Sequence, residues 1–404
     1  MRVGTGPHLS AGLSAVGELQ EHLNVGLALA LSKRWDEACK EFEAATLAGP
    51  ADPEAFLQLG KAYQALGQGA RAERALRRCC ELDGSRVEAR ARLGAALAQL
   101  GRRDEAREAL TEALAKDSGN VAALNALGDL EMSAGGMEEA AKAWERSLAS
   151  QQGQAETAFK LGFVLESLGR LEEAAARYQT ARQLTPGRLP VLLALGSALE
   201  RLSRWADTAA VLGEAAALRP SDGALQLRWS QALENAGQMD ASVTALRHAL
   251  QADPSNAAAA AKLGWICVGL GQSGEAEGWL KIAAQGLPES PDRDMANAYL
   301  HQLASHADEA IKLYRKVCEA QPERLAAWEA LAALLYRRSD LQGALAAYTR
   351  LTELKPGHVE ALTRLGSLNL KLGRRDEAQA AWEQALQADP SNAIVRKNLS
   401  VLKG

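Results

Sequence analysis

The chain has 404 residues, with 46 Lys and Arg against 50 Asp and Glu and a formal net charge of -4. That even balance gives no electrostatic reason to expect nucleic acid or an anionic membrane as the main partner. Aromatic residues make up only 4%, while Ala, Leu, Glu, Arg and Gln abound, a helix-forming mixture with few β-branched residues to favour strands, so the class is all-α.

The chain opens with a leader, residues 1–18, reading MRVGTGPHLSAGLSAVGE. It lacks the continuous apolar run of a signal sequence, and no later stretch reaches 18 uninterrupted apolar residues. The expectation is a cytoplasmic protein without membrane insertion. The five cysteines, Cys39, Cys79, Cys80, Cys267 and Cys318, form an odd set without metal-ligand spacing. They suit a reduced compartment, where buried thiols act as small hydrophobes.

From Leu19 onward the chain repeats. ALQADPSNA occurs at Ala249 and again at Ala385, and GRRDEA at Gly101 and again at Gly373; both offsets are multiples of 34. Rows of 34 residues begin at Leu19, Pro53, Val87, Val121, Ala155, Leu189, Gly223, Ala257, Pro291, Leu325 and Val359 and end at Asn392 without insertion or deletion. Column eight holds only small residues, such as Gly26, Gly60, Gly94, Gly128, Ser230 and Ala298. Column twenty is mostly Ala, as in Ala38, Ala72 and Ala106, and column thirty-two is mostly Pro, as in Pro50, Pro186 and Pro220.

Each row reads as two helices. Apolar columns four, seven and eleven, for example Phe56, Leu59 and Tyr63, share a helical face by their three-to-four spacing. The small residue at column eight admits a second helix closely, and Ala at column twenty is expected to be the matching small surface. Gly at column fifteen, as in Gly67 and Gly101, ends the first helix in the left-handed conformation. Pro at column thirty-two ends the second.

In these columns the sequence resembles the tetratricopeptide repeat (TPR), over eleven tandem repeats at residues 19–392, and a fixed period of this length is the mark of a stacked array. The resemblance implies an α-solenoid, a right-handed superhelix of helical hairpins whose first helices line a concave groove that holds a peptide or protein segment. Residues 393–404, with Ile394, Val395, Leu399 and Leu402 among polar residues, read as a capping helix.

A helical wheel leaves columns two, five, six, nine, twelve and thirteen facing the groove. Across rows five to nine, columns five and nine place Phe159, Phe163, Leu193, Leu227, Trp265, Met295 and Tyr299 there, an apolar surface of the kind that marks an interaction site. Partial cover by the adjoining helix is the competing reading. Column twelve adds Glu166, Glu200 and Glu234, either a rail for Lys or Arg of a partner or a solvated face with i to i+4 pairs, Glu166 with Arg170 and Glu200 with Arg204. Two departures stand out. Row nine puts Asp294, Asn297 and His301 at columns four, seven and eleven, predicting a less buried first helix and a flexible joint. Row one puts Leu23, Leu27 and Leu31 at columns five, nine and thirteen, a strip to be covered by the leader through Leu9, Leu13 and Val16, or by self-association.

Specialised forms of the family are not matched. The carboxylate clamp of chaperone-binding repeats needs Lys at column five, which holds none, and the asparagine ladder of the O-GlcNAc transferase superhelix needs Asn at column six, which has it only at Asn24. HExxH, GxSxG, GxxxxGK and CxxC are absent from the sequence, so no catalytic residue is assigned. His301 and His306 are five apart and poorly placed to chelate, and Asp292-Arg293-Asp294 follows Ser290 at a helix start where early acids are ordinary; no metal and no cofactor are expected. The expected function is a non-catalytic scaffold or adaptor that binds an extended segment of another protein, apolar residues with Lys or Arg. The alternative is the targeting or regulatory arm of a larger assembly whose catalytic part lies elsewhere.

Overall fold

A computed structural model describes the backbone of residues 7–403 and the side chains of residues 16–402. Among the described residues there are 23 α-helices and no strand: an all-α solenoid of paired helices. The 34-residue register carries over to the helix bounds. First helices start at column one, as in Pro53–Ala65, Val87–Gln99 and Pro291–Leu303, and second helices at column seventeen, as in Gly69–Leu82, Arg103–Lys116 and Ala307–Ala320. Contacts divide the chain into two compact units, Met1–Ala215 and Ala216–Gly404.

The turn between paired helices is set by column fifteen, where every residue has positive φ. Gly takes it easily, as at Gly135 (φ 87), whereas Lys33, Ser203, Ser305 and Ser339 hold φ between 56 and 63, a conformation that disfavours a Cβ. Asp52, Asn120, Asp222, Asn256 and Ser290 accept from backbone N–H groups at the first helical turn, satisfying donors that have no partner within the helix.

The crossing within each pair differs from the sequence expectation. Column eight receives chiefly the large side chain of column twenty-four, although at Gly94 a Cβ would also lie 3.2 Å from the carbonyl oxygen of the column-twenty residue Ala106. A Cβ on Gly60 would lie 2.6 Å from Leu76, on Gly162 2.6 Å from Tyr178, and on Gly366 2.4 Å from Trp382. Trp382, Tyr178 and Leu76 are all fully buried. The column-twenty alanines, Ala38, Ala72, Ala106 and Ala140 among them, are buried as well, as a close-packed interior requires.

One member of column twenty breaks a rule. Ser242 is fully buried and its hydroxyl has no hydrogen-bond partner, whereas Thr208 in the same column donates to the Arg204 carbonyl at 2.9 Å. An unpaired buried hydroxyl is costly. Ser242→Ala is therefore expected to stabilise the second unit by about 1 kcal/mol; an unchanged or lower denaturation midpoint would refute the account.

At the amino-terminal end the first helix is Pro7–Leu31, 25 residues without a break. The leader from residue 7 thus continues the row-one helix, and a continuous helix cannot fold back over its own strip. This corrects the expectation of a leader lid; the side chains of Leu9 and Leu13 lie outside the described residues. The strip itself divides, with Leu23 buried, Leu27 partly exposed and Leu31 almost fully exposed. In row nine, Pro291–Leu303 is helical and buries Met295, Ala296 and Ala298, half as many residues as Ala155–Ser167 buries in row five. Asp294 at column four is held by the Lys316 ammonium at 2.8 Å. The helix Ala393–Lys403 lays Val395, Leu399 and Leu402 against Leu362 and Trp382.

Candidate protein-binding surfaces

Each unit carries its own set of first-helix residues. In the first unit, Phe159 at column five is half-buried: its ring lies 5.6 Å from Tyr178, and the Arg188 guanidinium sits 5.5 Å from its centroid. Leu193, also at column five, is likewise half-buried. Phe163 at column nine is 51% exposed, a fraction that decides which of these side chains is free to meet a partner. Beside it the Lys160 ammonium bonds the Asp129 carboxylate of the preceding row at 2.7 Å.

In the second unit, Met295 at column five is 3% exposed and belongs to the core; its assignment to an open groove face is corrected. Leu227 is half-buried against the cluster around Leu263 and Leu280. Trp265 and Tyr299, both at column nine and both half-buried, meet edge to face with centroids 5.7 Å apart, and Trp265 packs against buried residues on both sides. The physical reason is common to these positions. The wheel describes one helix, but the next repeat covers column five and part of column nine, so Leu57 and Ala91 at column five are buried too.

The column-twelve carboxylates are engaged. Glu166 accepts from the Tyr178 hydroxyl at 3.0 Å and from Arg201 at 3.2 Å, and Glu234 takes the Lys262 ammonium at 2.8 Å; Glu200 also has a partner. The expected i to i+4 partners are spent elsewhere: Arg170 forks onto Glu173 with both bonds at 2.7 Å, and Arg204 bonds Asp207 at 2.9 Å. The Tyr178 hydroxyl, buried and donating to a carboxylate, is pushed well above its ordinary pKa, first by burial and then by Glu166. It is a structural donor across the whole neutral range.

Sequence reasoning missed a set of charged pairs that tie the last residue of a row to that row's own first helix. Arg188 bonds Glu156 at 2.6 Å, Arg324 bonds Asp292 at 2.7 Å, and Arg86 bonds Glu54. In each, the residue before a first helix reaches column two of the row before it. Column thirty-four carried the signal as recurrent Arg opposite recurrent acid. Burial pushes the thiols of Cys39, Cys79 and Cys318 up to about 11, away from nucleophilic use. His301 and His306 have ring centroids 5.7 Å apart, and among the described residues no group of three His, Cys, Asp or Glu is placed to hold a metal ion. No helix among them is long and apolar enough to cross a membrane.

Paired helices of 13 or 14 residues recurring every 34 define a helical-hairpin solenoid. The chain belongs to the tetratricopeptide repeat family: profiles described as tetratricopeptide repeat match residues 53–96, 91–156, 125–188, 227–291, 295–359 and 335–401. In general terms it is a protein-interaction scaffold. No curated protein matches the chain. Among solved structures it is similar to the APC/C hetero-tetramer Cut9-Hcn1 at 11% identity, over 99% of each chain, with a TM-score of 0.48. It is similar to MamA at 24% identity, over 41% of this chain and 91% of that one, with a TM-score of 0.37. A third is TTC0263, a thermophilic TPR protein of Thermus thermophilus, at 24% identity, over 45% and 98%, with a TM-score of 0.38.

Proposed function

We propose that the protein is a non-catalytic, cytoplasmic adaptor that holds an extended segment of another protein on its first-helix face. The observation that carries this reading is Phe163, a large aromatic side chain half in solvent on column nine, flanked by half-buried Phe159 and the Lys160–Asp129 pair. Rigid aromatics of this kind supply much contact area for little lost entropy and concentrate binding energy. The contact is apolar first: a partner's Lys or Arg would have to displace Arg201 from Glu166 or Lys262 from Glu234, so the carboxylates add little affinity.

The test is affinity capture from the native source with three proteins: wild type, Phe163→Ala, and Leu47→Ala as a control on the exposed side of a second helix. The expected outcome is a stoichiometric partner kept by wild type and Leu47→Ala and weakened by about 2 kcal/mol, roughly thirtyfold, by Phe163→Ala. A partner held equally by Phe163→Ala would place the contact elsewhere and remove this reading.

A further inference from the structure

In every helical hairpin the backbone N–H of column sixteen donates to the carbonyl of column eleven: Gln68 to Tyr63 at 2.9 Å, Arg102 to Leu97 at 3.0 Å, His306 to His301 at 2.8 Å. The bond closes the turn and brings a residue at the end of the first helix beside one at the start of the second. Most rows set an apolar residue against Arg or Gln here, as Leu165 against Arg170 and Cys267 against Gln272. Row nine alone sets His against His. Their five-residue spacing is poor for one helix face, but it crosses a turn: His301 lies in the last turn of Pro291–Leu303, His306 caps Ala307–Ala320, and the ring centroids are 5.7 Å apart.

Among the described residues no hydrogen bond or ion pair reaches either imidazole, whereas His22 bonds Glu41 at 2.7 Å and His358 accepts from the Ala361 N–H at 3.2 Å. Both rings line a cleft of about 380 Å³ that also takes in Asn297, Leu300 and, from the second helix of row eight, Glu277 and Lys281. Glu277 is held by the Lys281 ammonium at 2.7 Å, so the strong donors left open to a cation are the two imidazoles. A metal ion bonded at about 2.0–2.1 Å to one nitrogen of each ring stands roughly 3.2 Å from each centroid, which puts the rings about 4.6–6.5 Å apart for bond angles between a right angle and a straight line. The observed 5.7 Å falls inside that range.

We infer that His301 and His306 form a binding site for an imidazole-seeking divalent ion of the Cu²⁺, Ni²⁺ or Zn²⁺ class, with water filling its other positions. Imidazole nitrogen suits these metals, while Mg²⁺ and Ca²⁺ require oxygen ligands. The ion ties together the two helices of a thinly packed row, whose first helix buries only Met295, Ala296 and Ala298. A ligand held by the folded state alone stabilises it, so occupancy stiffens this hairpin. The site shares no residue with the contact proposed around Phe163, and either can fail alone.

The test is calorimetric titration of the tag-free full chain with Ni²⁺, a probe that does not oxidise thiols. One ion per chain is expected, and His301→Ala and His306→Ala should each weaken binding at least about tenfold, the low end of what losing a metal-site partner costs. His248→Ala, which removes an exposed imidazole elsewhere in the same unit, should change nothing, and excess Mg²⁺ should not compete. Amide exchange over Pro291–Leu303 should slow when Ni²⁺ is added to wild type and stay as it was in His306→Ala. His306 is exposed, and unchanged helicity by circular dichroism shows that this variant keeps the fold. No saturable binding, full binding by His306→Ala, an equal loss in His248→Ala, or unaltered exchange in the loaded wild type would each overturn the proposal.

Discussion

Gly128→Leu will destabilise the first unit by on the order of 1–3 kcal/mol or more, the largest effect expected of any column-eight change. A Cβ at Gly128 would stand 2.3 Å from Trp144 Nε1 and 2.6 Å from its Cδ1, closer than any van der Waals contact. Trp144 cannot swing away, because it is a rigid indole only 2% exposed inside a close-packed pair. Rows nine and ten show what a single methyl requires: Ala298 and Ala332 stand there against Tyr314 and Tyr348, all four buried. Three further carbons have no such space, and the helices must part. A control separates this from helix propensity. Gly278 also lies within a helix, Ser273–Gly286, but has nothing within 4 Å of its Cβ direction, so Gly278→Ala should stabilise by roughly 0.5–1 kcal/mol. Chemical denaturation followed by circular dichroism measures both; Gly128→Leu unfolding with the wild type would break the assigned crossing.

What the sequence made legible was whatever depends on one helix. Gly at column fifteen placed the turn that ends each first helix, and the structure keeps the left-handed conformation there even where Lys33 or Ser203 replaces Gly. What it left obscure depends on how far a side chain reaches over a neighbour. Helical side chains lean toward the amino terminus of their own helix. A glycine can therefore meet a residue one turn beyond the alanine drawn opposite it, and column twenty-four, not column twenty, fills the gap at Gly128 and Gly366. Charge pairing failed for the same reason. Spacing within a helix suggested Glu166 with Arg170, but Arg170 reaches Glu173 while Glu166 is met by Arg201 from the next row. A linear period shows that rows stack; it does not show which side chains span the seam.

Trp265→Ala will unfold the second unit more readily, at a cost of roughly 3 kcal/mol, the lower part of the range for deleting a large aromatic side chain. The sequence placed Trp265 on an open face, where its loss would cost only affinity. In the structure its ring packs on the buried cluster that includes Met295 and Leu331 and also on the one that includes Leu263 and Leu280, so its removal leaves a void between two packed layers. It also loses the edge-to-face contact with Tyr299 at 5.7 Å, worth about 0.5–1.5 kcal/mol beyond buried area. Because repeats are held mainly by their neighbours, a void at one seam lowers cooperativity as well as stability. The helices Ala257–Gly269 and Pro291–Leu303 should then lose amide protection before the rest of the unit. Trp265→Phe keeps an aromatic ring on Tyr299 and should recover more than half of the loss. If Trp265→Ala instead matches the wild-type denaturation midpoint, the indole bridges nothing, and it returns to the candidates for binding a partner alongside Phe163.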